Sequence, residues 1–410
     1  MKINKWFRNY YNKIISSIAF IPALIAIGFL LLSWGMLEID FSVFGKNIKA
    51  NLSWLSLKDA STARSIISTV AGALISLTVF SFSLVMIVLN QAASQMSNRM
   101  LSSMIENRFQ QIILGFYIGT IVYALFLLST IRDINSGIYV PALSIYLLIL
   151  FTVIDIFLFI YFLDYVTQTV KYETVINRIQ HQTMHTMKNN FKEIKEETVN
   201  WKSDINYQIK TTESNYFQGI NEKPLLDIAT EKDLLIRFLY PRGTYLINGT
   251  PFIEVYSGIH LNDELVEEIQ STTDFYKGQP IGQNAVYGFN QLAEVAIKAL
   301  SPGINDPGTA VISLHALSDM LAFKMYHSYE VLLYNEKKEG RIYLPCQSFE
   351  EIFVKCIDPI WSYGKKDQYI QNELVKMMTQ LKALDYKNSF TPLFDDVINK
   401  VEKEKLCPKN

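Results

Sequence analysis

Residues Ser61 to Leu101 read STARSIISTVAGALISLTVFSFSLVMIVLNQAASQMSNRML. The apolar run of this stretch carries small or polar residues at every seventh position, a set we call the polar seam: Thr69, Ser76, Ser83, Asn90 and Ser97. That spacing places them on one face of a helix. About 40 helical residues reach roughly 60 Å, twice the ~30 Å hydrocarbon core of a bilayer. We therefore predict the inner helix of a membrane bundle, with its seam facing protein or water.

The composition indicates a membrane part joined to a soluble part. Half of the 410 residues are apolar, and the formal net charge is −1. The sequence therefore has no basic excess of the kind that binds nucleic acid, and we expect no such partner. Its 3 cysteines are too widely spaced for a metal knuckle and odd in number, which argues against a disulfide framework and favours a reducing compartment.

Four apolar runs predict a transmembrane domain over residues 14–165, behind a basic N-terminal arm at 1–13. The predicted spans cover about 14–37, 64–90, 112–131 and 138–163. Lys and Arg are more frequent in the N-terminal arm, in the connection after the second span and after Lys171 than in the other connections. By the positive-inside rule, this distribution predicts that both termini are cytoplasmic.

The remaining chain is predicted to be cytoplasmic and mixed in structure. An apolar spacing near a heptad predicts a helical stalk over 166–212. Alternating apolar and turn residues then predict an α+β domain over 213–345, followed by a helical C-terminal region over 346–410. The predicted fold class is thus an α-helical membrane bundle of four transmembrane helices plus a cytoplasmic α+β domain with a helical C-terminal part.

The stretch Ser301 to Gly308, SPGINDPG, predicts a tight helix-turn-helix. Pro302 and Gly303 end one helix, Asp306 suits an N-cap, and Pro307 suits the first helical position. The alternative is a binding loop for an ion, a phosphate or another subunit, formed by backbone amides and polar side chains. Its candidate residues are Ser301, Pro302, Gly303, Asn305, Asp306 and Pro307.

Asp155 stands well inside the fourth predicted span. A carboxylate at that depth costs about 2.5 to 3.5 kcal/mol, so it should face the bundle or water. It is either a contact for a proton or cation, or a protonated side chain bonded to Ser68 or Thr120. His181 and His185 have a spacing that can hold a metal, but two histidines without a third ligand more often form a solvated face. We predict no metal site and no cofactor.

Four segments of the sequence form recognisable motifs: Arg64-Ser65 with Ala71-Gly72, QAASQMSNR at 91–99, LGFYIGT at 114–120, and above all ALSPGINDP at 299–307. Together they resemble the bacterial family of predicted membrane proteins known as domain of unknown function 2254. The resemblance extends over nearly the whole chain. It implies a multi-pass protein of the bacterial inner membrane but no activity.

The sequence supports two hypotheses of function. The first is a homo-oligomeric channel, in which second helices from several subunits line a polar path and the cytoplasmic domain gates it. The alternative is a non-conducting membrane sensor or scaffold, in which the polar seam packs against helices and the cytoplasmic domain binds a partner or ligand. No nucleotide loop, metalloprotease motif or nucleophile elbow is present in the sequence, so we expect no enzyme.

Overall fold

Four helices of the protein are long and apolar enough to cross a membrane. The computed structural model describes residues 19–51, 57, 59–95, 108–131, 140–169, 171–193, 206–258 and 261–406. The four membrane helices are α1 (Phe20–Phe41), α3 (Ala60–Gln95), α4 (Arg108–Thr130) and α5 (Ala142–Thr169). The chain divides at Lys171 into two compact units, which we call the membrane unit and the soluble unit.

The connection after the first span contains a short helix, α2 (Val43–Asn51). The basic arm at 1–13 lies outside the described residues, as do Ser97 and the basic connection after the second span. The loop after the third span, 132–139, is likewise not described.

Within one chain, the most buried span is α4 and not α3. In the most apolar stretch of the α4 span, Phe109–Thr130, 44% of the residues are buried, compared with 17% in that of the α3 span. Gly115 and Gly119 make this possible, because a Cβ atom there would meet Pro22, Ile25 and Phe29 of α1. Among the described residues of one chain, α4 is therefore more buried than α3, and the prediction that α3 is the inner helix of an assembled bundle stays a prediction.

The soluble unit begins with helix α6 (Tyr172–Asn190) and strand β1 (Phe191–Glu193). The predicted stalk helix over 166–212 thus ends at Asn190, and β2 (Asn206–Lys210) is a strand. Helix α6 buries one face, including Val175, Ile179 and Met187, and leaves its polar face exposed. Its apolar spacing therefore predicted the helix correctly but not where it ends.

Three sheets form the β part of the soluble unit among the described residues. The further strands are β3 (Asn215–Ile220), β4 (Leu235–Phe238), β5 (Thr244–Leu246), β6 (Pro251–Tyr256), β7 (Thr273–Phe275), β8 (His327–Tyr329), β9 (Leu332–Tyr334) and β10 (Gly340–Tyr343). Their orders are β2-β6-β4-β10-β9, β5-β3-β7 and β1-β8. Every pairing is antiparallel except that of β10 with β4. Buried residues of β3, β4 and β6, with helices α7 (Glu222–Glu231) and α8 (Asp263–Ser271), form a common core.

Five helices complete the unit, namely α9 (Val286–Ala299), α10 (Pro307–Lys324), α11 (Phe349–Gly364), α12 (Gln368–Leu384) and α13 (Thr391–Leu406). Local sequence determines where α11 and α12 begin. Ser348 and Glu351 form a reciprocal capping box at α11, and the Asp367 carboxylate accepts from two amides at α12. These helices make the C-terminal part helical, as predicted.

Candidate functional site

The polar seam lies on the outer face of α3. The side chains of Thr69, Ser76, Ser83 and Asn90 are exposed in the single chain. The opposite face of the helix is buried against the bundle through Ala63, Ile67, Ala71, Leu74 and Ser81. Among the residues that the structure describes, none packs over these four side chains, which leaves them to face lipid, water or another protein.

The surroundings of the seam change along α3. Toward its N-terminal end the exposed face consists mostly of small and hydroxylated residues: Ser61, Thr62, Ser65, Ser68, Thr69, Gly72, Ala73 and Ser76. Further along, large apolar side chains flank the seam, including Val79 and Ile87, which are 61% and 63% exposed. Small residues let membrane helices approach closely, so the first half of this face suits helix contact and the second half suits a narrow polar stripe.

Two seam hydroxyls are bonded within their own helix. Ser76 Oγ donates to the Gly72 carbonyl at 3.0 Å, and Ser83 Oγ donates to the Val79 carbonyl at 2.9 Å. A bond of this kind satisfies the donor, while the hydroxyl lone pairs stay free to accept from water or a neighbouring helix. The two serines can therefore tolerate either environment.

Asp155 is fully buried at the middle of the span Ala142–Gln168. Of the two predicted neighbours, Thr120 is buried and lies beside the carboxylate, whereas Ser68 is exposed on the other face of α3. The Tyr117 hydroxyl lies near the same carboxylate and next to Ser81. The structure thus brings Asp155 together with polar groups of α3 and α4, a cluster that sequence reasoning found only in part.

A second buried carboxylate, Asp40, stands at the end of α1 and was missed. It accepts from the Leu143 and Ser144 amides at 3.1 and 2.8 Å, and from the Ser144 hydroxyl. The Lys49 ammonium of α2 lies 3.1 Å from it. Asp40 therefore caps the N-terminus of α5 and joins three helices. The two partners in α5, Leu143 and Ser144, lie more than 100 positions away along the chain, so no local pattern could reveal them.

The Ser301 to Gly308 stretch forms the predicted turn between α9 and α10. Asp306 caps α10 by accepting from the Thr309 amide at 3.1 Å, and the Thr309 hydroxyl donates to the same carboxylate at 2.6 Å. Asn305 has a positive φ of 48°, a backbone conformation that Asn adopts more readily than most residues. Turn geometry thus accounts for Asn305, Asp306 and Pro307, while Pro302 and Gly303 are simply exposed.

The soluble unit contains a buried amine, Lys324, that sequence reasoning did not single out. Its Nζ donates to Ser328 Oγ at 3.4 Å, and that oxygen lies 3.0 Å from Cys346 Sγ. Burial lowers the pKa of Lys324, against the opposing effect of Cys346 and two glutamates. The Lys324 ammonium also lies 5.6 Å from the centre of the Phe191 ring, so it is held between β1 and the residues after α10.

His181 and His185 are exposed on α6. In the part of the chain that the structure describes, no three His, Cys, Asp or Glu side chains converge as a metal site requires. Cys346 and Cys356 are free thiols.

Comparison with known proteins places the chain among uncharacterised membrane proteins. The family model described as "Predicted membrane protein (DUF2254)" matches residues 15–380. An uncharacterized protein of Mycobacterium bovis and one of Mycobacterium tuberculosis are each 21% identical over 341 residues, which is 77% of this chain. The chain spans 63% of the length of these curated relatives. No solved structure matches it significantly.

Proposed function

The chain belongs to the DUF2254 family of predicted membrane proteins, and we propose that several copies assemble in the membrane into a channel-like pore lined by α3. The observation that supports this proposal is the outward polar seam. Its residues Thr69, Ser76, Ser83 and Asn90 lie on the face of α3 that no other described helix of the chain covers.

The free-energy cost of exposing the polar seam to lipid supports the proposal that several copies assemble. Asn90 is exposed on the last turns of α3, where the apolar span gives way to Gln91. An amide facing hydrocarbon without partners is unfavourable by several kcal/mol. An assembly around an axis would turn these seams inward, where water or the neighbouring seams supply hydrogen bonds.

The alternative function is a non-conducting sensor or scaffold. The bonds from Ser76 and Ser83 to carbonyls of their own helix favour it, because such hydroxyls can pack against a neighbouring helix without water. In that case the seam joins subunits but conducts nothing, and the soluble unit binds a partner or ligand.

We place the protein in the bacterial inner membrane with the soluble unit in the cytoplasm, where that unit gates the pore. The distribution of Lys and Arg in the sequence supports this orientation. The free thiols of Cys346 and Cys356 suit a reducing compartment.

Cysteine scanning of α3 tests the pore. Single cysteines at Ser76, Ser83 and Asn90 are introduced into a Cys346→Ser, Cys407→Ser background and treated in liposomes with a charged, membrane-impermeant thiosulfonate. Cys356 is fully buried and stays. If the seam faces water, the reagent modifies these cysteines and reduces ion flux. Val79→Cys is the matched control, since it is exposed on the same helix but on the apolar flank.

Native mass in nanodiscs separates the two functions. A ring of four or more copies with modified seam cysteines supports the pore. An assembly whose seam cysteines resist the reagent, and whose flux is unchanged by Ser83→Leu and Asn90→Leu, contradicts the pore and favours the scaffold. A monomer with unmodified cysteines contradicts both forms of assembly.

A further inference from the structure

Four buried side-chain oxygens in the membrane-spanning helices have no hydrogen-bond partner among the described residues. They are both carboxylate oxygens of Asp155, the Tyr117 hydroxyl and the Ser81 hydroxyl. These residues are at most 3% exposed and belong to three different helices. An unpartnered polar group buried in a membrane is costly, so a cluster of them indicates that something else binds there.

The Ser81 and Tyr117 side chains line the same crevice in the membrane unit. Ser81 lies beside the Tyr117 hydroxyl, and the Asp155 carboxylate is close enough to act on that hydroxyl electrostatically. Thr120 lies beside the carboxylate and adds a fifth oxygen. The Thr120 hydroxyl donates to the Phe116 carbonyl at 3.0 Å, which leaves its lone pairs as acceptors.

This crevice reaches Ser81 and Tyr117 of the cluster from the end of the bundle where α4 begins, and Asp155 and Thr120 are not part of its lining. It encloses about 480 Å³, including its open mouth, and Gln110 and Gln111 line it together with Ser81 and Tyr117. Tyr117 lies six residues beyond Gln111, or about 9 Å along the helix. The rest of the lining is apolar, namely Phe82, Val85, Ile113, Leu114 and Phe162.

We propose that Asp155, Tyr117, Ser81 and Thr120 form a binding site for a hard monovalent cation of the Na⁺ type. All the atoms that would coordinate the ion are oxygens, which hard cations prefer. The site holds a single carboxylate, whose one negative charge a monovalent ion neutralises, whereas divalent cations such as Ca²⁺ usually take several carboxylates. The proposal does not depend on the pore, because the site lies inside one subunit on the face of α3 opposite the seam.

A proton is the competitor for the same carboxylate. Protonation neutralises Asp155 and gives it one donor, which can bond to only one of the surrounding oxygens. A cation instead accepts lone pairs from several oxygens and needs no hydrogen-bond donor from any of them. Tyr117 is the titratable side chain of α4 facing Asp155, and α3 contributes the neutral Ser81. No charged side chain of the described residues forms an ion pair with Asp155.

Labelling with a hydrophobic carbodiimide, which adds to a protonated carboxyl group in the membrane, tests the site. The full-length protein in nanodiscs is treated at one acidic pH in NaCl or in choline chloride, and labelled peptides are quantified by mass spectrometry. We expect Na⁺ to reduce labelling of Asp155 about tenfold when it is present at about ten times its Kd. Asp155→Asn should remove the signal.

Two substitutions show whether the neighbouring hydroxyls hold the ion. Ser81→Ala and Thr120→Val should leave labelling in choline unchanged but raise the Na⁺ concentration that protects Asp155. Thr130→Val is the matched control, since its hydroxyl also bonds to a carbonyl of α4, that of Leu127, about 15 Å further along the helix. It should leave protection unchanged.

Either of two results overturns the proposal. Equal labelling in Na⁺ and choline means that the carboxyl binds a proton only. Absence of labelling at Asp155 in both salts, in protein of unchanged circular dichroism and native mass, means that the crevice does not give access to the carboxyl.

Discussion

Asp40 and Asp155 are both fully buried in the membrane unit, yet their surroundings are opposite. Asp40 accepts from two amides and a hydroxyl of α5 and pairs with Lys49. Neither oxygen of Asp155 has a hydrogen-bond partner among the described residues. Burial alone therefore does not distinguish a structural carboxylate from one proposed to bind an ion. The hydrogen-bond donors around each carboxylate do.

The difference has a physical basis in where the two residues stand. Asp40 meets the N-terminus of α5, where free amides and the helix dipole stabilise a negative charge. Asp155 stands in the middle of α5, where every backbone amide is already bonded within the helix. Only side chains or a bound cation can compensate its charge.

Replacing Asp40 should have the largest effect. Asp40→Ala leaves the first amides of α5 and the Lys49 ammonium without their acceptor, so we expect the protein to lose about 3 kcal/mol of stability. The measurement is unfolding by SDS in lipid bicelles. Stability equal to that of the wild type would show that Asp40 does not hold the helices together.

Lys49→Met should have an intermediate effect. The carboxylate of Asp40 keeps its three donors from α5, and the Lys49 side chain is 19% exposed, so solvent screens part of the pair. We expect a loss of about 1.5 kcal/mol in the same assay. A loss as large as that of Asp40→Ala would mean that the ion pair, and not the helix cap, is the main contribution.

Ser144→Ala should cost less, about 1 kcal/mol, because it removes one hydroxyl donor and leaves the Ser144 amide bonded to Asp40. The Ser144 carbonyl also still accepts from the Tyr123 hydroxyl at 3.2 Å. Bicelle unfolding of the double variant Lys49→Met, Ser144→Ala measures whether the two donors act independently.

Asp155→Asn should have the smallest effect on stability, within about 0.5 kcal/mol, because it breaks no hydrogen bond and retains the shape of the side chain. Unfolding is measured in choline chloride, so that no Na⁺ contributes. A loss near that of Asp40→Ala would show that Asp155 has strong partners and would remove the contrast between the two carboxylates.

The sequence predicted the parts of the fold that local patterns determine. Apolar runs located the four membrane helices, and Pro302, Asp306 and Pro307 predicted the turn between α9 and α10. The depth of Asp155 followed from its place in an apolar run. Each of these features depends on residues within a few turns of one another.

Features that depend on packing between distant segments were not predicted. The apolar runs of α3 and α4 look alike in sequence, and only the contacts of Gly115 and Gly119 with α1 identify α4 as the buried helix. The two-residue spacing from Ser83 places Ser81 on the other face of the helix, but only the structure shows that this face is buried. Asp40 accepts hydrogen bonds from residues of α5 that lie more than 100 positions away in the sequence.

Helix α3 has two serines, Ser81 and Ser83, that are two positions apart and face opposite ways. Ser81 is 3% exposed and lines the crevice, whereas Ser83 is on the outer seam. One helix thus connects the proposed ion site inside the subunit to the proposed contact surface between subunits. If Na⁺ alters the association constant of the subunits by some factor, association must alter the Na⁺ affinity by the same factor. The salt dependence of assembly and the assembly dependence of ion binding are then a single coupling free energy measured from two directions.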